Sequence, residues 1–314
     1  MSGRSSSNTD DVPHQRFNIG GIHTAVYNLP AALASDLPVM VLITTHGRFG
    51  HQFDKTTKKF IKASLRKLDE LEKQSGVRRK RELVIVTLDQ RNHGERKVTD
   101  IMNEGFDKND LHAIDMYAMQ RGTARDISFL VDFLPSYLFP NGEKVIEKYG
   151  VTGFSLGGHA TWMVLRDEPR ITIGIPVVGC PDYVSLLTPR IAEHPPSSGQ
   201  RELAAPAFPN SLAQLVAKED PCAVDYRSHD PSVNPYIGKQ ILVLGGADDH
   251  LVPPKHGQKM FEDMYLGSSG AKELIVQEGV GHHMSPEMLE RAGEWLWKYG
   301  VNDGTAATSQ HSQL

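Results

Sequence analysis

The sequence is poor in cysteine, in charge of one sign and in long apolar runs, and each shortage closes off a class of protein. Only Cys180 and Cys222 occur, outside any Cys-x-x-Cys pair and without zinc-type Cys/His spacing. That excludes a disulfide-stapled scaffold and a structural zinc site, and both thiols are expected reduced and buried. The formal net charge is −4, with both signs mixed along the chain, so nothing favours nucleic acid or an anionic membrane as a partner. No apolar run approaches bilayer-spanning length. There is no Asn-x-Ser/Thr sequon, and the opening MSGRSSSNTDDVPHQ lacks the apolar core of a secretory signal. A soluble, cytoplasmic protein is the expectation. Residues 1–15 and 301–314 are Ser/Thr/Gly/Gln-rich and are expected to be disordered tails.

What is present is an ordinary globular composition in 314 residues, enough for one large α/β domain that buries its own core. Short apolar strands alternate with helical patterns, which predicts a mostly parallel sheet covered on both faces. Residues 16–29 read as one or two antiparallel edge strands. Val39–Thr44 (VMVLIT) and Leu83–Leu88 (LVIVTL) are uniformly apolar, as buried parallel strands are. Between them Phe60, Ile61, Leu65, Leu68 and Leu71 recur at helical spacing, predicting a helix over Lys55–Ser75. A second helix is expected over His112–Leu138. Further strands are expected at Glu147–Phe154, Ile171–Val178, Ile241–Leu244 and Leu274–Val276. An amphipathic helix near Pro286–Tyr299 closes the chain. The proline-rich interval 180–238 is too long for a simple loop and predicts a lid with short helices, such as Ser211–Lys218.

The stretch VTGFSLGGHA, Val151 to Ala160, holds a Gly-x-Ser-x-Gly pattern. Chance alone yields that pattern about 0.2 times in such a chain, so context decides. The expected strand ends at Phe154 and a helix must begin just after Gly157, which makes Ser155 the apex of a sharp turn. Gly153 and Gly157 remove the Cβ atoms that would collide there. The helix N-terminus beneath Ser155 offers a positive dipole end where an oxyanion would form. A serine hydroxyl is a poor nucleophile without a base. The chain supplies acids and then histidines in the required order, in GGADDHLVP after the strand ILVL and in EGVGHHMSPEM after the strand LIV. Each candidate lies past the carboxyl end of a strand, where open α/β sheets collect their active sites.

With these motifs in place, the chain from about Phe17 to Tyr299 resembles an α/β-hydrolase. The resemblance implies a mostly parallel sheet of about eight strands with helices on both faces and a short lid insertion at 180–238. The family's Gly-x-x-Asp-x-x-Val-Pro segment falls on Gly246 to Pro253 and selects Asp249 over Asp248. Its Gly-His with Pro-Glu downstream falls on Gly281 to Glu287 and selects His282 over His283. The implied triad is Ser155, Asp249 and His282. Two backbone N–H groups would hold the oxyanion, those of Leu156 and of Arg48 in the His46-Gly47-Arg48-Phe49-Gly50 loop. Asp89-Gln90-Arg91-Asn92-His93-Gly94 resembles a family turn with a structural part, hydrogen-bonding the loop that carries the oxyanion segment. The segment Gly179 to Leu187 resembles small esterases of the prolyl-oligopeptidase-like branch.

The resemblance implies a serine hydrolase acting on a small or medium carboxylic ester, lactone or thioester with an apolar part, without cofactor or metal. C–C bond hydrolysis or acyl transfer would use the same triad, and some proteins of this fold bind ligands without turnover. Arg48 is expected either to meet an acidic substrate group or to point to solvent. Met116, Tyr117 and Met119 are expected in the core, and His159 in packing. The oligomeric state is left open.

Overall fold

The computed structural model describes residues 12–304. His14–Ile19 (β1) and Ile22–Tyr27 (β2) form an antiparallel hairpin. Gly20 and Gly21 turn it with φ of 55° and 87°, a backbone region open to glycine. A short helix, Leu29–Ala34 (α1), leads to Val39–Thr45 (β3), buried at every position. Lys55–Ser75 (α2) follows, capped by the Asp54 carboxylate, which accepts the Thr57 N–H at 2.7 Å. Then come Glu82–Leu88 (β4), His112–Leu138 (α3), Ile146–Phe154 (β5), Leu156–Asp167 (α4) and Ile171–Val177 (β6). The insertion carries Tyr183–Glu193 (α5) and Asn210–Glu219 (α6). Gln240–Gly246 (β7), Lys255–Asp263 (α7), Ala271–Gln277 (β8) and Pro286–Trp295 (α8) complete the chain, α8 running on as a π-helix over Leu296–Val301.

The eight strands form one sheet in the order β1-β2-β4-β3-β5-β6-β7-β8. β1 and β2 are antiparallel to their neighbours and the other pairings are parallel. Alternating side chains divide the core between its two faces. Val39, Val41 and Ile43 pack with Ile127, Leu130 and Trp162 of α3 and α4, whereas Met40 and Leu42 pack with Phe60, Leu68 and Met288 of α2 and α8. Each such side chain contributes roughly 1.5–3 kcal/mol by burial. This consistency holds the strand ends, and the loops leaving them, in fixed register.

Both tail boundaries move outward from the expectation. Residues 14 and 15 belong to β1, because they pair with Tyr27 and Val26 and the His14 ring packs 5.1 Å from Tyr27 and 5.2 Å from Phe53. At the other end Val301 is buried and its carbonyl accepts the Lys80 and Arg81 N–H groups. The Asp303 carboxylate meets Lys80, Arg81 and Lys148 at 3.0, 2.7 and 3.0 Å. The remainder of the expected tails, 1–11 and 305–314, lies outside the described residues. Among the described residues no helix is long and apolar enough to cross a membrane.

Candidate active site

Strand β5 ends at Phe154 and helix α4 begins at Leu156, so one residue makes the whole turn. That residue, Ser155, sits at φ 54°, ψ −108°, a conformation costly for any side chain and held only by its surroundings. Its N–H donates to Val177 O at 2.9 Å, and the Gly157 N–H donates to His46 O at 3.1 Å. The turn also needs close backbone approach. A Cβ on Gly153 would lie 2.4 Å from the Gly157 carbonyl, and one on Gly158 2.5 Å from Val177 O. The strain therefore lifts the Ser155 hydroxyl over the carboxyl ends of the strands.

The acid and histidine loops leave neighbouring strands, β7 and β8, and touch. Asp248 N–H donates to Val280 O at 3.0 Å, and a Cβ on Gly246 would lie 2.1 Å from that same oxygen. This contact sets Asp249 beside His282. Asp249 Oδ2 is 2.8 Å from His282 Nδ1, and His282 Nε2 is 2.8 Å from Ser155 Oγ. Asp249 is 2% exposed, and its other oxygen accepts the N–H groups of Leu251 at 2.9 Å and Val252 at 2.8 Å. Burial pushes the Asp249 carboxyl up, but the His282 bond and the two amides outweigh it and hold it below the ordinary aspartate range. An ionised carboxylate only accepts, so His282 carries its proton on Nδ1 and presents a lone pair at Nε2 to the serine hydroxyl. Such a relay can take the hydroxyl proton as Oγ bonds to an electrophilic carbon. Asp248 and His283, the adjacent alternatives, are exposed.

The Arg48 loop is built on buried polar groups. His46 is buried, and burial lowers its pKa to about 4. It is therefore neutral, donating from Nδ1 to Gly47 O at 2.8 Å and accepting the Gln90 N–H at Nε2, 3.1 Å away. The Asp89 carboxylate accepts from Gln52 N at 2.7 Å and Glu95 N at 2.9 Å, joining the two loops. Asn92 bonds Asn103, whose carbonyl takes the Arg48 guanidinium at 3.2 Å. The His93 ring packs against His46 within this support, centroids 5.2 Å apart and the planes tilted by 52°. The N–H groups of Arg48 and Leu156 have no acceptor among the described residues.

Ser155 and His282 open into a cavity of about 760 Å³ with a mixed lining. Its apolar wall includes Phe106, Met116, Phe154, Leu186 and Val252, and its polar wall includes Arg48, His159 and Arg190. Met116, Tyr117 and Met119 are all buried, as expected, and Met116 also reaches the cavity. His159 is buried and neutral, its pKa lowered to about 4 by burial, and its Nδ1 accepts the Cys180 N–H at 2.9 Å. Arg48 does not simply face solvent. It is half-buried in the cavity wall, with its guanidinium 5.0 Å from the Phe49 ring centroid.

Arg190 was not legible from the sequence as a site residue. A signal existed: Asp182 caps α5 by accepting the Ser185 N–H, and Leu186, Leu187 and Ile191 mark its inward face. Arg190 lies four residues after Leu186 and shares that face. Pro189 inside the helix hid the pattern.

Among the described residues one group of metal-ligand types converges, Asp182, Asp220 and Cys222. It lies outside the cavity lining, and its donors already serve the fold. Asp220 accepts the Tyr183 N–H at 2.9 Å and the Cys222 thiol at 3.2 Å, and burial pushes that thiol up, away from the thiolate a metal needs.

No protein-family model matches the chain, and no curated protein matches its sequence. Solved structures do match its shape. TT1662 from Thermus thermophilus aligns with TM-score 0.60 at 17% identity, over 91% of this chain and 97% of its own. The Pyrococcus furiosus esterase Pf2001 aligns with TM-score 0.53 at 17% identity, over 94% and 96%. Est1E from Butyrivibrio proteoclasticus, bound to ferulic acid, aligns with TM-score 0.52 at 14% identity, over 91% and 97%. With this strand order, the single-residue turn at Ser155 and these likenesses, the chain has the α/β-hydrolase fold.

Proposed function

We propose that this chain is a serine hydrolase that cleaves a carboxylic ester through an acyl-enzyme on Ser155. The observation that carries the reading is the continuous hydrogen-bonded line from Ser155 through His282 to Asp249, 2.8 Å at each step. In the first half-reaction Ser155 Oγ bonds to the ester carbonyl carbon while His282 Nε2 takes the hydroxyl proton. The oxyanion that forms accepts from the Leu156 and Arg48 N–H groups. The carbon–oxygen bond to the alcohol then breaks, and His282 returns the proton to the leaving oxygen. In the second half a water, deprotonated by His282, attacks the acyl carbon and frees Ser155. Asp249 keeps the Nδ1–H tautomer in place and stabilises the imidazolium. No step asks for a metal or an organic cofactor.

The cavity over Ser155, partly apolar, suits a small or medium acyl or alcohol group. Among proteins of the same fold, Pf2001 is an esterase and Est1E holds ferulic acid, which favours an ester over a C–C substrate here. Para-nitrophenyl esters of increasing acyl length test the reading and the pocket depth together. The wild type should turn over the short members, and Ser155→Ala should not. Wild-type turnover no faster than that of Ser155→Ala would place the protein among non-catalytic ligand binders.

A further inference from the structure

Three cations, Arg48, Arg190 and Lys255, and three carboxylates, Glu104, Asp107 and Glu193, line the cavity that holds Ser155, yet neither arginine is hydrogen-bonded to any of these carboxylates among the described residues. Arg190 comes from α5 in the insertion, Arg48 from the loop after β3, and both line the cavity wall. Arg190 donates one hydrogen bond, from Nη2 to Leu251 O at 2.5 Å, and Arg48 donates one, to Asn103 O. No carboxylate pairs with either guanidinium among the described residues. Each has five N–H donors, so most are free. Elsewhere on the chain arginines that are partly withdrawn from water are paired, as Arg79 is with Asp69 and Glu72, and Arg121 with Asp167 and Glu219.

The two charges also feel each other. Burial lowers the pKa of Arg190, and the charge of Arg48 lowers it further. Glu104 and Asp107 line the same cavity and act on Arg48, but Glu104 already bonds Lys108 at 3.3 Å and Asp107 is exposed. The triad acid Asp249, committed to His282, is the carboxylate that acts on Arg190. Like charges drawn together beside a reacting centre are unfavourable until an anion lies between them. The planar guanidinium fork matches a carboxylate.

We propose that Arg190 and Arg48 form an anion subsite, so that the ester cleaved at Ser155 carries a free carboxylate in addition to its scissile bond, as the half-ester of a dicarboxylic acid does. The apolar wall at Phe106, Met116 and Leu186 then receives the short methylene chain between the two groups. This proposal rests on the serine-hydrolase reading.

The test compares two nearly isosteric substrates, para-nitrophenyl pentanoate and the mono-para-nitrophenyl ester of glutaric acid. The wild type should favour the glutarate by about tenfold or more in kcat/KM, mostly through KM, which a charge-assisted bidentate contact supplies. Free glutarate should inhibit competitively. The preference should shrink as salt rises from about 0.02 to 0.5 M, because screening weakens the contact. In Arg190→Gln the glutarate-to-pentanoate ratio should fall to about one. If Arg190 only staples the insertion to Leu251, both substrates suffer alike and the ratio stays; that result overturns the proposal. A wild type that hydrolyses pentanoate at least as well as glutarate overturns it without any variant, and leaves the hydrolase reading standing. A wild type inert toward both overturns the hydrolase reading itself.

Discussion

Ser155 is one of five non-glycine residues with positive φ among the described residues, and the one of them at φ 54°, ψ −108° on the turn from β5 to α4. Its positive φ is costly for a side chain, and the close backbone approaches at Gly153 and Gly158 leave room for the turn. The sequence pointed to it because glycine spacing and the switch from strand to helix are local signals. The neighbouring choices were harder. Asp248 and Asp249 differ by one position, as do His282 and His283, and composition is blind to which of each pair faces inward. Only the resemblance picked the pair that meets, since the direction of a loop side chain depends on contacts with a second loop. Asp249→Asn should lower kcat by roughly ten-thousandfold, because the amide can no longer hold the tautomer. Asp248→Asn, at an exposed position, should change kcat by less than about twofold. The reverse ranking in steady-state assays would move the acid by one residue.

At the scale of elements, the strands and long helices were readable because hydrophobic period and burial agree; α2 and α3 run as expected, over Lys55–Ser75 and His112–Leu138. The insertion was readable only as a place. Its helix α5 carries Pro189, and its position is fixed by long-range bonds, Tyr183 hydroxyl to Ala113 O at 2.6 Å and Asp220 to Tyr183 N–H. Burial raises the Asp220 pKa to about 7. The folded value thus lies above the unfolded one, so this group's stabilisation is full below about pH 4 and fades as pH rises through about 7. Asp220→Asn keeps an acceptor for Tyr183 and removes the titration. Between about pH 5 and 8 the wild-type Tm should fall by about 3 °C more than that of the variant; parallel Tm curves would contradict this. The acid and histidine loops offer a second test. Gly246→Ala forces a Cβ against Val280 O, which should cost about 1–3 kcal/mol and reduce turnover by separating Asp249 from His282, seen as a drop in kcat in protein that still melts cooperatively.

Across the whole molecule, one eight-stranded sheet brings together three side chains that are 94 and 33 positions apart along the chain, 155 to 249 and 249 to 282. The mostly parallel sheet was legible because Val39–Thr44 and Leu83–Leu88 read as the nearly uniform apolar runs of buried parallel strands. The chain ends were not, because polar composition is silent about pairing with a distant element. Asp303 shows this. Burial pushes its carboxyl up, but bonds from Lys80, Lys148 and Arg81 outweigh that and hold it well below the usual range. Its contribution is therefore present at neutral pH and lost as pH falls beneath that range. Because the carboxylate is partly exposed, screening keeps it small, and Asp303→Ala should cost about 1 kcal/mol in chemical denaturation at pH 7.

The central claim is that the Ser155 oxygen is activated by His282. It is tested most directly by treating folded protein with a fluorophosphonate and mapping the adduct by peptide mass spectrometry. The account expects one adduct, on Ser155, formed rapidly by the wild type and hardly at all by a folded His282→Ala variant. A folded wild type that stays unlabelled, or that is labelled elsewhere, would contradict it.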